Sequence, residues 1–197
     1  TEFAYNHMSA GWSWAFDTPF DWFKQNASRL GGINQSMVLQ WPARIKDKGA
    51  LREQFMHDID VVPTLLEAAG ISAPETVDGI KQKPIEGTSF AYTFDAANAK
   101  GASRHKIQYF EMMGQWALYD DGWLLSTKPD RVPWDALSPA NPDPLNNQVF
   151  QLYDLTKSWN QAEDIAAQYP DKVKQMRGTF VAEAKKYQVF PLDASVA

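Results

Sequence analysis

The residues best placed to do chemistry in this chain lie in FKQNASRLGGINQSMVLQWPARI, residues 23–45, where Lys24 is followed by Gly31-Gly32 and by an apolar run ending on Trp41-Pro42. An ammonium is a compact, strongly hydrated cation, so a lysine held at a cleft can neutralise an oxyanion or the oxygen of a departing group. On spacing alone the ordinary reading of Lys24 is a solvated surface lysine, because lysines are seldom buried. The chain has three histidines, His7, His57 and His105. None has a second ligand at metal-binding spacing, so no metal is assigned to this chain. His57 is expected to order the start of a helix and His105 to be exposed. The chain contains no cysteine, which rules out disulfides and thiolate metal sites and leaves the compartment open.

A chain of 197 residues can form one well-buried domain or a large piece of a bigger one. With 44% hydrophobic and 22% charged residues it falls in the globular class and should build a core. The net charge of -5 argues against a nucleic-acid partner, which would require clustered Lys and Arg. It leaves room for a small anionic substrate held by one or two local cations. No apolar stretch approaches the roughly 20 residues of a membrane helix, so no membrane partner is expected. The opening TEFAYNHMSAG has neither a basic nor an apolar leader region. Without an initiator methionine, and with an aromatic-rich first segment, the chain reads as a fragment or as one chain of a divided protein.

Several elements must position the lysine. Residues 1–32 combine Tyr5, Trp12, Trp14, Phe16, Phe20, Trp22 and Phe23 with turn formers, the pattern of a long loop packed by its own rings, some of which could line a substrate cleft. Ile33–Trp41 reads as a buried strand closed by Pro42, and 43–49 as a solvated loop. Asp60 can cap a helix with Val61, Val62, Leu65, Leu66 and Ala69 on one side and Gly70 as its stop. Residues 72–89 should be irregular. IQYFEM, QWALY and WLLST, with Asp121-Gly122 between the last two, predict an antiparallel meander. A polar insertion over 128–147 precedes a further strand, Val149–Leu155. The spacing of Val173, Met176, Phe180, Ala184 and Tyr187 predicts a closing helix over 171–187 with one apolar stripe.

Seven segments in order carry a resemblance: KQNASRLGG, QWPARI, HDIDVVPTLLEAAGI, DGIKQKPIEGTSF, QYFEMMGQWALYDDGW, VFQLYDL and YQVFPLD. Together they resemble the C-terminal part of bacterial arylsulfatases, formylglycine-dependent members of the alkaline-phosphatase-like superfamily. The resemblance implies an α/β fold ending in a small α+β subdomain with an antiparallel four-stranded sheet and a C-terminal helix. Residues 1–100 would belong to the large α/β domain and 101–197 to the small subdomain. It further implies hydrolysis of a small sulfate-ester substrate, with a calcium ion and a formylglycine in the complete enzyme. Both are expected outside this chain, which would therefore need an N-terminal sulfatase segment or chain as partner. Bacterial periplasm or secretion is the family habit.

Lys24 matches the family lysine that precedes the glycine pair and contacts sulfate. His7, in AYNHMSAGW, falls in a segment that enters the cleft mouth in similar proteins, where it could donate to a sulfate or leaving-group oxygen. Many family members carry Glu directly before the glycines and a shorter spacing from the lysine; here Arg29 and Leu30 occupy the approach, and Gln35-Ser36 replaces a Val-Pro. Arg29 thus becomes a candidate second cation for the substrate, since a planar guanidinium suits an oxyanion. Two alternatives remain: a phosphate or phosphonate ester hydrolase of the same superfamily, and a non-catalytic carbohydrate- or partner-binding module built on the eight tryptophans.

Overall fold

The computed structural model describes residues 8–132, 134–135 and 138–195. The chain groups into two compact units, one joining the segment up to Ser36 with Tyr109 onward, the other running from Met37 to Gln108. No described helix is long and apolar enough to cross a membrane.

The first unit begins with helix α1, Ala10–Asp17, which buries none of its residues, and a single helical turn α2, Leu30–Ile33. Its centre is a sheet of strands β3, Ile107–Met112, β4, Gln115–Asp120, β5, Trp123–Thr127, and β6, Phe150–Asp154, in that spatial order. The meander expected from the sequence is therefore present. Asp121 and Gly122 both take positive φ (43° and 94°) and close β4 onto β5 with Asp120 opposite Trp123, the mirror-image turn whose twist matches paired strands. Met113 and Gly114, also at positive φ, turn β3 into β4 in the same way.

The closing helix, α4, spans Pro170–Lys186, with proline in its first turn, Asp171 near its start and Lys185 and Lys186 in its last turn, charges that complement the helix dipole. Met176, Phe180 and Ala184 are buried against Trp116, Leu118, Leu125 and Leu152. The Trp116 and Phe180 rings stack at 3.8 Å. Side chains alternate along a strand, and the register puts Leu118, Leu125 and Leu152 opposite one another. The helix therefore covers one face of the sheet. The other face carries Gln115, Ala117 and Tyr119 of β4, Leu124 and Ser126 of β5, and Gln151 and Tyr153 of β6. Every residue of β4 from Gln115 to Tyr119 is buried, so this second face is covered as well.

The second unit holds helix α3, Val61–Ala69, ended by Gly70 at φ 67°, and a short hairpin of β1, Thr76–Val77, and β2, Ile80–Lys81. That hairpin lies in the stretch expected to be irregular; Asp78-Gly79, both at positive φ, is the same turn signal that marks Asp121-Gly122. Residues 1–32, expected as a long loop, contain α1 and α2, and further expectations need correction. Ile33 belongs to α2, and residues 34–41 pair with no described strand, leaving Val38 93% exposed. An apolar run reads as a buried strand only if neighbours cover its edges and faces, and among the described residues none do. The α3 stripe is likewise open, with Val62 and Leu65 exposed and Thr64 its sole buried residue.

Candidate functional site

Lys24 is exposed at the head of a loop whose following residues, Asn26 to Arg29, are all buried. The backbone on either side of it is held in an uncommon conformation: Trp22 has φ 65° and Gln25 φ 85°. Non-glycine residues at positive φ cost on the order of 1 kcal/mol or more and persist where their surroundings impose them. Here the surroundings can be named. The Asn26 amide and its Nδ2 both donate to the Phe23 carbonyl (3.3 and 3.1 Å), and the Gly31 amide donates to the Asp21 carbonyl at 3.2 Å. A Cβ at Gly31 would lie 2.1 Å from the Trp22 carbonyl oxygen, and one at Gly32 2.3 Å from that of Asn26. The glycine pair is thus what lets α2 close against the backbone bearing Lys24.

Beneath the loop lies the second face of the sheet. Ser28 Oγ donates to Gln115 Oε1 at 3.2 Å. Arg29 Nη1 donates to the Tyr153 hydroxyl at 2.8 Å, Nη2 donates to Gln151 Oε1, and the guanidinium lies 5.9 Å from the Tyr153 ring centre. Burial raises the Tyr153 pKa while Arg29 opposes that shift, so the phenol stays neutral and accepts from the guanidinium. From the segment after β6, buried Gln161 reaches back: its Oε1 accepts from the Leu30 amide at 2.6 Å and its Nε2 donates to the Ser28 carbonyl at 3.3 Å. Four residues that sequence reasoning missed, Gln115, Gln151, Tyr153 and Gln161, therefore fix the loop. For Gln115, Gln151 and Tyr153 the only signal was a polar group on an otherwise apolar strand; Gln161, in the segment after β6, carried none.

Of the three candidate residues, Lys24 faces solvent and no described residue holds its ammonium. Arg29 is 6% exposed and directed at the sheet. His7 lies outside the described residues.

The second unit contains a buried polar cluster. The Asp60 carboxylate accepts from the His57 amide (2.8 Å), the Thr88 amide (2.7 Å) and His105 Nδ1 (2.8 Å). It makes no capping bond to α3; instead it joins three separate segments. Thr64 Oγ1 donates to the Asp60 carbonyl and accepts from the Phe90 amide. His57 orders the turn before the helix as expected, its Nδ1 accepting from the Ile59 amide, and burial lowers its pKa. His105, expected at the surface, is buried, with Nε2 facing the Ile107 carbonyl at 3.0 Å. Its two ring nitrogens thus face the Asp60 carboxylate on one side and a backbone carbonyl on the other. The cluster braces the unit. Among the described residues no three His, Cys, Asp or Glu side chains come together as metal ligands, and the cysteine-free sequence offers no cysteine precursor of a formylglycine.

Comparison with known proteins agrees with this architecture. The chain is 34% identical over 67 residues to an ulvan-active sulfatase of Formosa agariphila, a match covering 31% of this chain and 13% of that protein. Among solved structures it resembles Ps i-CgsB (TM-score 0.60, 18% identity, 90% of this chain and 33% of that one). It also resembles a Bacteroides thetaiotaomicron sulfatase from a locus for glycosaminoglycan metabolism (TM-score 0.56, 16% identity, 81% and 31%). A third, solved with its substrate D-glucosamine-2-N,6-O-disulfate, gives a TM-score of 0.50 at 16% identity over 78% of this chain and 28% of that one. The chain thus spans a third or less of the length of these proteins and shares the sulfatase fold over that part. Residues 19–123, more than half of the chain, match the sequence profile of N-sulphoglucosamine sulphohydrolase, C-terminal, and the chain belongs to that family of sulfatase C-terminal regions.

Proposed function

We propose that this chain is the C-terminal portion of an enzyme that hydrolyses sulfate esters, and that Lys24 is its contribution to the reacting centre. One observation carries the proposal: an exposed lysine sits between two positive-φ residues on a loop clamped to a buried sheet face. A surface lysine needs no such support, whereas a group that must meet charge as it develops on oxygen gains from being held in place beforehand. Lys24 would neutralise charge on the sulfuryl oxygens or on the departing oxygen. Arg29, already bonded to Tyr153 and Gln151, acts from below as a positioning residue and not as a second ligand for the anion. The nucleophile and the calcium ion belong to sequence beyond this chain, and an N-terminal sulfatase segment is its partner.

The ulvan-active relative and the glucosamine-disulfate-bound neighbour favour a sulfated carbohydrate as substrate, with aryl sulfates as convenient reporters. Rates of the complete protein on a matched sulfate and phosphate ester of one alcohol separate this reading from a phosphatase of the same superfamily. The sulfate ester should react faster by orders of magnitude, and the 197-residue chain alone should release no sulfate. A preference for phosphate, or turnover by this chain alone, contradicts the proposal. The exposed tryptophans favour a second reading, a non-catalytic carbohydrate-binding module; it predicts saccharide binding by a complete protein that hydrolyses no ester at all.

A further inference from the structure

Two tryptophans stand out against the rings beside Lys24. Trp134, in the insertion between β5 and β6, is 63% exposed, although tryptophans are ordinarily well buried. Its ring lies nearly parallel to that of Phe23, the residue preceding Lys24, at 6.3 Å and 15°. Trp159, 59% exposed in the segment after β6, meets Phe20 edge-on at 5.4 Å. The Trp134 ring does not hang free: the Asp135 amide closes a turn onto the Val132 carbonyl at 3.0 Å, and Arg131 Nη2 ties the start of the insertion to the Ala194 carbonyl at 2.8 Å. A large aromatic face is thus held open, backed by the ring of the residue that precedes Lys24 in the chain, and among the described residues none pairs with the Lys24 ammonium.

We infer that Trp134, backed by Phe23, is a stacking platform for a pyranose ring of a sulfated saccharide, and that Lys24 receives a sulfate group of the same ligand. The inference rests on the sulfatase reading for the role of Lys24 and adds the sugar subsite. The C–H face of a pyranose is weakly electropositive and apolar, which suits the negative face of an indole. The hydroxyls at the ring edge remain in water. The sulfate supplies a negative charge that no described residue gives the ammonium, while an apolar peptide or lipid would supply none. Because Phe23 already holds the indole, little side-chain freedom is lost on binding.

The test is tryptophan-fluorescence titration of the 197-residue chain with a sulfated glucosamine tetrasaccharide and with its desulfated counterpart. The expected result is saturable binding of the sulfated form, weakened about tenfold or more by Trp134→Ala, partly restored by Trp134→Phe, and weakened by removal of sulfate. Trp12→Ala, on an exposed ring of α1 outside this pair, should leave affinity unchanged. In the complete protein, Trp134→Ala should lower the ratio of kcat/KM for the tetrasaccharide over an aryl sulfate about tenfold. Absence of binding, or equal affinity in Trp134→Ala and Trp12→Ala, overturns the subsite. If binding depends on Trp134 but the complete protein hydrolyses neither ester, the sulfatase reading fails and the subsite stands.

Discussion

Arg29 is a cation spent inside the protein, and its neighbours define what it can do. Removing it leaves the Tyr153 hydroxyl and Gln151 carbonyl facing a void, at a cost of about 1–3 kcal/mol for buried groups that lose their partners. Arg29→Ala is therefore expected to lower the melting temperature and, in the complete protein, to reduce kcat for sulfate release while KM changes little. Arg29→Lys restores charge without the planar fork and should recover only part of kcat. Were Arg29 a ligand of the substrate, KM would rise and the lysine variant would restore it. His57 gives a separate, pH-dependent signature. Its folded pKa lies below the ordinary 6.5 because burial disfavours the charged ring, so the unfolded chain takes up the proton first. Stability contributed by His57 is complete above about pH 6.5 and is lost as pH falls from there toward the folded pKa. Denaturant midpoints between pH 7.5 and 5.5 should fall more steeply for the wild-type chain than for His57→Asn, whose side-chain oxygen can still accept from the Ile59 amide.

Between residue and fold stands the sheet, sandwiched by α4 on one face and by the Lys24 loop on the other. The first layer is plain apolar packing; Phe180→Ala should cost about 3–5 kcal/mol, measured by chemical denaturation. The second layer is polar, and Gly31→Ala is expected to damage it with the first intact, because the new methyl group meets the Trp22 carbonyl 2.1 Å away. Near-ultraviolet circular dichroism should register displaced Trp22, while the α4 helix signal in the far ultraviolet stays. The meander, α3 and α4 were legible in the sequence because each is written locally: Asp121-Gly122 as a turn, Gly70 as a stop, and a three-to-four spacing from Val173 to Tyr187. The loop's anchors were not. Arg29 meets Gln151 and Tyr153 more than 120 positions away, and no local pattern announces such a pairing. The glycine pair was legible as a pair; why it is glycine emerged only from the close approach of two backbones. The buried Asp60–His105 pair was hidden for the same reason, its partners being 45 residues apart.

At the scale of the whole molecule, the second unit presents an apolar surface. Met37, Leu39, Trp41, Val61, Leu65 and Phe94 border an open cavity of about 400 Å³, and Val38 stands almost fully exposed beside this run. Under the proposed function an N-terminal sulfatase segment covers this surface. The isolated chain is then expected to bind an apolar dye and to self-associate with concentration in sedimentation, and Leu65→Lys should reduce both; a monodisperse, dye-silent chain would count against a missing partner. The central claim is that a clamped loop delivers one lysine to a sulfate ester. It is tested most directly by kcat/KM for aryl sulfate hydrolysis by the complete protein with Lys24 or with Lys24→Ala, at matched melting temperature. Loss of an electrostatic group at a reacting oxygen typically costs about 3–4 kcal/mol, so the account predicts a fall of a hundredfold or more, carried by kcat. A Lys24→Ala enzyme with kcat within a few fold of wild type would contradict it.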